Sequence, residues 1–184
     1  MSLVISKEQI QILYSAETIA TRINELAQTI NQDYKDCESL VVVGVLKGAF
    51  IFAADLVRNL NLPCQLEFIR LSSYEGTQST GTFRVYDLTL PDLHGKDILI
   101  VDDIVDSGRT AQFLLDFFNK QAGVKSVKLA ALFDKPSKRH ADHQKINPDY
   151  CCFTIEDKFI LGYGLDYDQR FRELPYVGFI SGLT

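Results

Sequence analysis

The stretch from Ile98 to Thr110 holds the residues whose types and spacing are best suited to chemistry. Its four β-favouring apolar residues, 98–101, are followed at once by two adjacent carboxylates, Asp102 and Asp103. A short apolar run of this kind is typical of a buried parallel strand. At the end of such a strand, we expect the carboxylates to accept hydrogen bonds from sugar hydroxyls or to hold a metal ion.

A short polar loop follows the strand and opens a helix. The loop contains a third acid, Asp106, and continues with Ser107, Gly108, Arg109 and Thr110. The free N–H groups and the dipole of a helix N-terminus attract anions, and phosphate above all. Ser107 and Thr110 add hydroxyl donors, and Gly108 permits close approach of the backbone. A phosphate site beside carboxylates that suit a diol predicts a site for a phosphorylated ribose.

This pattern resembles the phosphoribosyl-pyrophosphate signature of the type I phosphoribosyltransferases. Asp106 is similar to an acid that members acting on 6-oxopurines carry, whereas the orotate, adenine and uracil enzymes lack an acid there. The resemblance extends from about Val41 to Ser181. Asp102 departs from the pattern, because the first acid of the pair is often glutamate in this subgroup. Without the resemblance, the residues are also compatible with solvated acids at a strand end and a helix N-cap.

The resemblance implies an enzyme of purine salvage. Such an enzyme transfers the 5-phosphoribosyl group from phosphoribosyl pyrophosphate to N9 of hypoxanthine or guanine, and gives IMP or GMP and pyrophosphate. Mg²⁺ is the implied cofactor, and a homodimer or homotetramer is the implied assembly. Two alternatives stay open: a non-catalytic regulator on the same fold, and an enzyme that uses xanthine or a pyrimidine. The side chains do not rank hypoxanthine, guanine and xanthine.

Two residues are implied to act on the purine during the reaction. Asp106 would be the general base that accepts a proton as N9 attacks, although it could also cap the helix. Lys135 follows a predicted strand and would donate a hydrogen bond to O6 of the base. Adenine would be disfavoured, because its amino group would face a second donor. Taken alone, Lys135 is compatible with a solvated loop lysine.

A second segment that matches the family covers residues 157–167. The resemblance implies that Phe159 stacks on the purine and that Ile160 offers backbone groups to its edge. Asp166 would help to hold Mg²⁺, which needs few protein carboxylates, and Arg172 would bind pyrophosphate through its planar fork of donors. Without the resemblance, Phe159 is compatible with a core aromatic and Asp166 with a turn aspartate. Arg172 is compatible with a surface ion pair to a neighbouring acid.

Two further segments have implied contacts with pyrophosphate. Lys47-Gly48 ends the first long strand, and in the resembling family this peptide can be cis; otherwise it is a strand-to-helix turn. Residues 73–82 contain two glycines, many hydroxyls and little to bury, which predicts a mobile loop. The resemblance implies a lid here that excludes water, with Ser73 and Tyr74 reaching pyrophosphate.

The predicted elements alternate between strands and helices, which indicates an α/β fold with a parallel, doubly wound sheet and flanking helices. The resemblance adds a small hood region, and we expect one domain over residues 1–184. Ser6 and Gln9 form a predicted capping box, and helical spacing from residue 10 to 30 predicts one or two helices. Strands are predicted at 40–46, 65–72, 83–88, 98–101, 127–133, 150–155, 159–162 and 177–180, and helices at 49–60 and 111–121.

Composition restricts the class of protein. With 46% hydrophobic residues in 184, the chain is long enough for a substantial core. The net charge of −5 and the lack of an obvious basic face argue against nucleic-acid binding.

The four cysteines form no C-x-x-C pair, which predicts reduced thiols in a cytoplasmic protein. The N-terminus predicts no signal peptide. Charged residues interrupt the apolar run 40–60, so we expect a strand and a helix there and no membrane span.

Overall fold

The computed structural model describes residues 6–73, 83–86 and 90–181. Its helices are α1 (Ala16–Asp33), α2 (Phe50–Arg58) and α3 (Arg109–Asn119), with short 3₁₀ turns at Lys7–Gln9, Pro136–Lys138 and Ala141–His143. Its strands are β1 (Ile10–Tyr14), β2 (Leu40–Leu46), β3 (Cys64–Ser73), β4 (Phe83–Tyr86), β5 (Asp97–Val105), β6 (Ser126–Asp134), β7 (Tyr150–Thr154), β8 (Ile160–Leu161) and β9 (Val177–Ile180).

The larger sheet has six strands in the order β4-β3-β2-β5-β6-β7. All neighbours in it are parallel except β3 and β4, which pair antiparallel. Alternate residues of β2 and β5 face opposite sides, since Val41 and Ile98 pack with α3 whereas Val42 and Leu99 pack with α1 and α2. Helices on both faces bury the central strands. The predicted doubly wound architecture is confirmed.

A smaller sheet of three antiparallel strands, β1-β9-β8, forms the predicted hood. Ile10, Leu161 and Ile180 lie in its small core together with Phe171 and Leu174. The hood is therefore built from both ends of the described chain, and its core is separate from the two clusters on the faces of the larger sheet.

The prediction of helix directly after Ser6 was wrong. The capping box between Ser6 and Gln9 is present, but it closes only a 3₁₀ turn. Residues 10–14 form β1, in which Ile10 lies opposite Ile180 of β9. This long-range pairing overrides the local helical spacing. The first α-helix begins at Ala16 and is capped by the hydroxyl of Ser15.

The strand β5 is longer than predicted. Its pairing with β6 continues through Asp102 and Ile104 to Val105, which lies opposite Asp134. Asp102 and Asp103 therefore lie inside the strand and not after it. Among the described residues, no helix combines the length and the apolar character that crossing a membrane would need.

The hood meets the larger sheet through two glycines in close contact. Gly164 has a φ of +98°, and a Cβ atom on it would lie 2.1 Å from the carbonyl oxygen of Gly48. That position therefore requires glycine for two reasons, its backbone conformation and its lack of space. Gly95 offers a contrast, since its φ is +70° but a Cβ atom there would have nothing within 4 Å.

We predict that Gly164→Ala destabilises the protein more than Gly95→Ala does. Both substitutions carry the backbone cost of positive φ, about 1–2 kcal/mol. Only Gly164→Ala must also push apart the hood and β2, at a further cost of roughly 1–3 kcal/mol. Urea unfolding of the two variants measures the difference. Equal losses of unfolding free energy would show that the hood does not press on Gly48.

Candidate active site

A cavity of about 550 Å³ lies at the carboxyl ends of β2 and β5, where the hood faces the larger sheet. This edge is where ligands of doubly wound sheets bind. The following sequence-predicted residues line it: Lys47, Gly48, Asp102, Asp103, Asp106, Ser107, Gly108, Arg109, Thr110, Asp166 and Arg172. Segments far apart in the chain therefore meet in one place, as the sequence predicted.

The two adjacent carboxylates lie at the floor of this cavity. Asp102 is buried, and burial together with repulsion from Asp103 raises its pKa well above the usual value. Burial also raises the pKa of Asp103, although the positive charge of Arg172 opposes the rise. Asp103 is half-buried and lines the cavity, so its carboxylate can be reached by a ligand. Hydroxyl groups of a ligand are suitable donors to it.

Gly48 brings the end of β2 against these acids. A Cβ atom on Gly48 would lie 1.7 Å from Oδ2 of Asp103, so no other residue fits without displacing the carboxylate. The resemblance left open whether the Lys47-Gly48 peptide is cis; the cis peptide lies one bond earlier, between Leu46 and Lys47. The sequence could not locate it, because neither bond precedes proline, the residue that usually marks a cis bond.

The polar loop after β5 enters α3 through a glycine. Gly108, with a φ of +81°, occupies the N-cap position and supplies no side-chain cap. The alternative that Asp106 caps the helix is therefore wrong, and its exposed carboxylate is left at the cavity. The uncapped helix N-terminus and the loop present the geometry of an anion site.

Two cations from different segments also line the cavity. Arg172 pairs with Asp166 at 2.7 Å and donates to the carbonyl of Gly164 at 2.7 Å. Lys47 donates to Oε1 of Gln169 at 3.1 Å. A surface pair of Arg172 with its neighbour Glu173 is not formed, because Glu173 pairs with Lys7. Gln169, which no sequence motif singled out, connects the two cations, since Arg172 also donates to its amide oxygen at 3.4 Å.

The residues predicted to contact the purine lie outside the lining of this cavity. Lys135 is buried and not a solvated loop lysine; its Nζ donates to the carbonyl of Lys158 at 2.6 Å. Phe159 contacts Tyr167 edge-on at 5.8 Å and packs against the hood core. Ile160 is buried in β8. The contact with Lys158 brings Lys135 close in space to Phe159 and Ile160, but none of the three lines the cavity with the carboxylates.

Two further predictions concern the pyrophosphate contacts of the lid and the site for Mg²⁺. Ser73 ends β3, and Tyr74 with the rest of the predicted lid lies outside the described residues. Across the described ranges, no cluster of three or more His, Cys, Asp or Glu residues forms a metal site. Mg²⁺ often takes only one or two protein carboxylates together with waters and substrate oxygens, so Asp166 at the cavity fits such an ion.

Sequence reasoning missed one buried cation beside the loop. Arg139 lies in the polar, basic stretch 134–148, yet its side chain is only 2% exposed. It pairs with the carboxylate of Asp134 and donates to the carbonyls of Val105 and Asp106. Main-chain acceptors leave no trace in the types of neighbouring residues, so no sequence signal could have identified this contact.

The chain matches the phosphoribosyl transferase domain family over residues 9–168. This match covers most of the strands, the loop after β5 and Asp166. The chain belongs to the phosphoribosyltransferase family, which confirms the class that the fold and the site define.

Similar proteins define the group within the family. The chain is 40% identical over 178 residues to the hypoxanthine-guanine phosphoribosyltransferase of Streptococcus thermophilus, with 96% of each chain covered. A hypoxanthine-guanine phosphoribosyltransferase structure from Bacillus anthracis has 37% identity and a TM-score of 0.85, covering 92% of this chain and 98% of that one. A hypoxanthine phosphoribosyltransferase structure from Staphylococcus aureus has 32% identity and a TM-score of 0.88, covering 98% and 96%. Enzymes so named transfer a phosphoribosyl group to a purine in salvage, and the enzyme class predicted from sequence is confirmed.

We predict opposite effects on stability for two acids of β5. Burial raises the pKa of Asp102, so its ionisation above about pH 4 disfavours the folded state, and Asp102→Asn should raise the unfolding free energy at pH 7 by about 1 kcal/mol or more. Burial alone would also raise the pKa of Asp97, but hydrogen bonds from Lys125, Ser126 and Cys37 lower it. Asp97→Asn should therefore destabilise at pH 7 by roughly 1–3 kcal/mol.

The pH dependence of both variants provides the check. The gain from Asp102→Asn should shrink as pH falls towards 4, because the wild-type carboxyl becomes protonated in both states. The loss from Asp97→Asn should instead persist at pH 4 and fade only at lower pH, because the pKa of the paired carboxylate in the folded state is lowered. Chemical denaturation at pH 4 and pH 7 measures both differences. A loss of stability from Asp102→Asn at pH 7 would contradict the electrostatic account of the carboxylate pair.

Proposed function

We propose that the chain transfers the 5-phosphoribosyl group from phosphoribosyl pyrophosphate to N9 of hypoxanthine and of guanine, giving IMP or GMP and pyrophosphate. One observation supports this most: a single cavity joins the N-terminus of α3, the adjacent carboxylates of Asp102 and Asp103, and the cations Lys47 and Arg172. These three groups match the 5′-phosphate, the ribose hydroxyls and the pyrophosphate of one substrate. The match to the domain family over residues 9–168 supports a single domain.

The loop after β5 is proposed to bind the 5′-phosphate. Ser107, Gly108, Arg109 and Thr110 line the cavity where α3 begins, so N–H groups and hydroxyls can donate to one anion. The carboxylates behind the loop would accept hydrogen bonds from the ribose 2′- and 3′-hydroxyls. Those bonds would replace the solvent that burial has removed from the acids, and this supports a diol as their partner.

Pyrophosphate is proposed to bind between Lys47, Gly48 and Arg172. A guanidinium offers two parallel donors to phosphate oxygens, and Lys47 adds a second positive charge. Asp166 lies beside Arg172 and would hold Mg²⁺ together with oxygens of the substrate. When bound, Mg²⁺ would supply charge neutralisation of the pyrophosphate leaving group. Arg172 would then exchange its partner Asp166 for the phosphate oxygens.

Asp106 is proposed as the general base. Its carboxylate is exposed at the cavity, does not cap α3, and follows directly the strand that holds the ribose acids. From there it could accept the proton that the purine loses as N9 attacks the anomeric carbon. Its negative charge would also favour the positive charge that develops on the ribose ring.

The purine is proposed to bind between the ends of β6 and β8. Lys135 would donate to O6 of the base, Phe159 would stack on the ring, and backbone groups of Ile160 would contact its edge. The ammonium of Lys135 now satisfies the carbonyl of Lys158, so it would add O6 as a further acceptor. Adenine would be selected against, because its amino group would face that buried donor.

The remaining features of the proposal come from the family resemblance. Ser73 and Tyr74 would contact pyrophosphate from a lid that closes over the reaction. The functional unit would be a homodimer or homotetramer. A cytoplasmic location is supported by four free cysteines, Cys37, Cys64, Cys151 and Cys152.

A panel of bases tests the function. With phosphoribosyl pyrophosphate and Mg²⁺, we predict pyrophosphate release with hypoxanthine and guanine, and at least about 100-fold less with adenine, uracil or orotate. Including xanthine in the same panel ranks it against hypoxanthine and guanine as a substrate. Release with none of the 6-oxopurines would refute the proposal. A shift of purine-operon DNA or RNA without nucleotide synthesis would instead favour a regulator.

Asp106→Asn tests the assignment of the base. We predict that this variant binds phosphoribosyl pyrophosphate as the wild type does but loses about 10²- to 10⁴-fold in turnover, because the amide cannot accept the proton. Asp116→Asn is the matched control, since Asp116 is an exposed acid of α3 that bonds to Gln112. Turnover that stays within twofold of wild type in Asp106→Asn would remove Asp106 from the mechanism.

A further inference from the structure

The buried cation beside the phosphate loop has more partners than an ion pair needs. The guanidinium of Arg139 pairs with Asp134 and also donates to four main-chain carbonyls. These belong to Ile146 at 2.8 Å, Val105 at 2.7 Å, Asp106 at 2.6 Å and, more weakly, Lys135 at 3.4 Å. Every N–H-bearing nitrogen of the side chain is therefore used, which suits a charge that is almost wholly removed from water.

Arg139 belongs to the segment of residues 135–146, which we call the anchor segment. Donors of this segment bind successive carbonyl groups of the loop. Arg139 binds the carbonyls of Val105 and Asp106, the N–H of Lys135 also binds the carbonyl of Val105 at 3.0 Å, and the N–H of His140 binds the carbonyl of Ser107 at 3.0 Å. Three consecutive peptide units of the loop thus have their carbonyls turned towards the anchor segment.

The orientation of these carbonyls determines where the loop's N–H groups point. In a trans peptide the C=O and the following N–H lie on opposite sides of the chain. The N–H groups of Asp106, Ser107 and Gly108 are therefore directed away from the anchor segment, and these residues line the cavity on that other side. A phosphate site made of backbone donors depends on this arrangement.

Close packing supports the same arrangement. A Cβ atom on Gly108 would lie 3.0 Å from Cβ of His143 and 3.2 Å from Cδ of Arg139. The loop therefore lies directly on the anchor segment without an intervening side chain.

We propose that Arg139 is a positioning residue that aims the N–H groups of the phosphate loop, and that it does so by binding the carbonyls of Val105 and Asp106. The proposal rests on the proposed function, in which that loop binds the 5′-phosphate. Arg139 itself touches no substrate. Because it also reaches the carbonyl of Lys135, it connects the phosphate loop to the lysine proposed to contact the purine.

The test compares two ligands that differ only in the phosphate, IMP and inosine. We expect Arg139→Lys to weaken IMP binding by about 10- to 100-fold, because an ammonium keeps the charge beside Asp134 but cannot span the separated carbonyls. Inosine binding should stay within about twofold of wild type. The matched control is Arg22→Lys, since Arg22 also donates to a carbonyl, that of Cys152, and its other partner is Glu25.

Calorimetric titration gives the ratio of inosine to IMP dissociation constants for each variant. A ratio that falls only in Arg139→Lys supports the proposal, whereas equal weakening of both ligands, or an unchanged ratio, overturns it in favour of a merely structural role. Should Arg139→Lys not fold, Asp134→Asn gives the same test, because it removes the partner that orients the guanidinium. A wild-type ratio near one would instead refute the proposed function, since the loop would then bind no phosphate.

Discussion

The close approach of three chain segments at Gly48 is the constraint on which the site depends. The α-carbon of Gly48 faces the carboxylate of Asp103, and its carbonyl faces the α-carbon of Gly164 in the hood. A side chain at either glycine would push β2 away from β5 or lift the hood from the sheet. Because neither is present, carboxylates from β5 and Arg172 from the hood can line the same cavity, and one ligand can contact both.

Charges of both signs line the cavity at this junction. Burial raises the pKa of Asp102 and of Asp103 in β5, and the cations Lys47 and Arg172 come from two other segments. A ligand that carries both hydroxyls and phosphates can use both kinds of group. The carboxylate pair disfavours the folded state without a ligand, as expected where a sequence serves binding at the expense of stability.

Prediction from sequence succeeded where the signal is contiguous. The strand β2 is one apolar run, and the start of β5, its loop and α3 follow one another in the chain, so apolar runs and turn residues sufficed to place them. It failed where partners are distant or belong to the main chain. The pairing of Ile10 with Ile180 spans nearly the whole chain, and no local sequence pattern indicates it. The contacts of Arg139 with carbonyls depend only on backbone position, and residue types carry no information about them.

In this protein, the net charge and the charges at the cavity lead to different conclusions about which anions it can bind. The net charge of −5 counts against a nucleic-acid surface, which needs many exposed cations over a wide area. A single phosphorylated sugar needs only a few donors in fixed positions, and here cations secure them by binding the backbone. Arg172 donates to the carbonyl of Gly164 and Arg139 to those of the loop, so each arginine holds a segment of the chain that borders the cavity. An acidic chain can therefore bind a polyanionic substrate, because the geometry of a few buried or half-buried groups outweighs the sum over the surface.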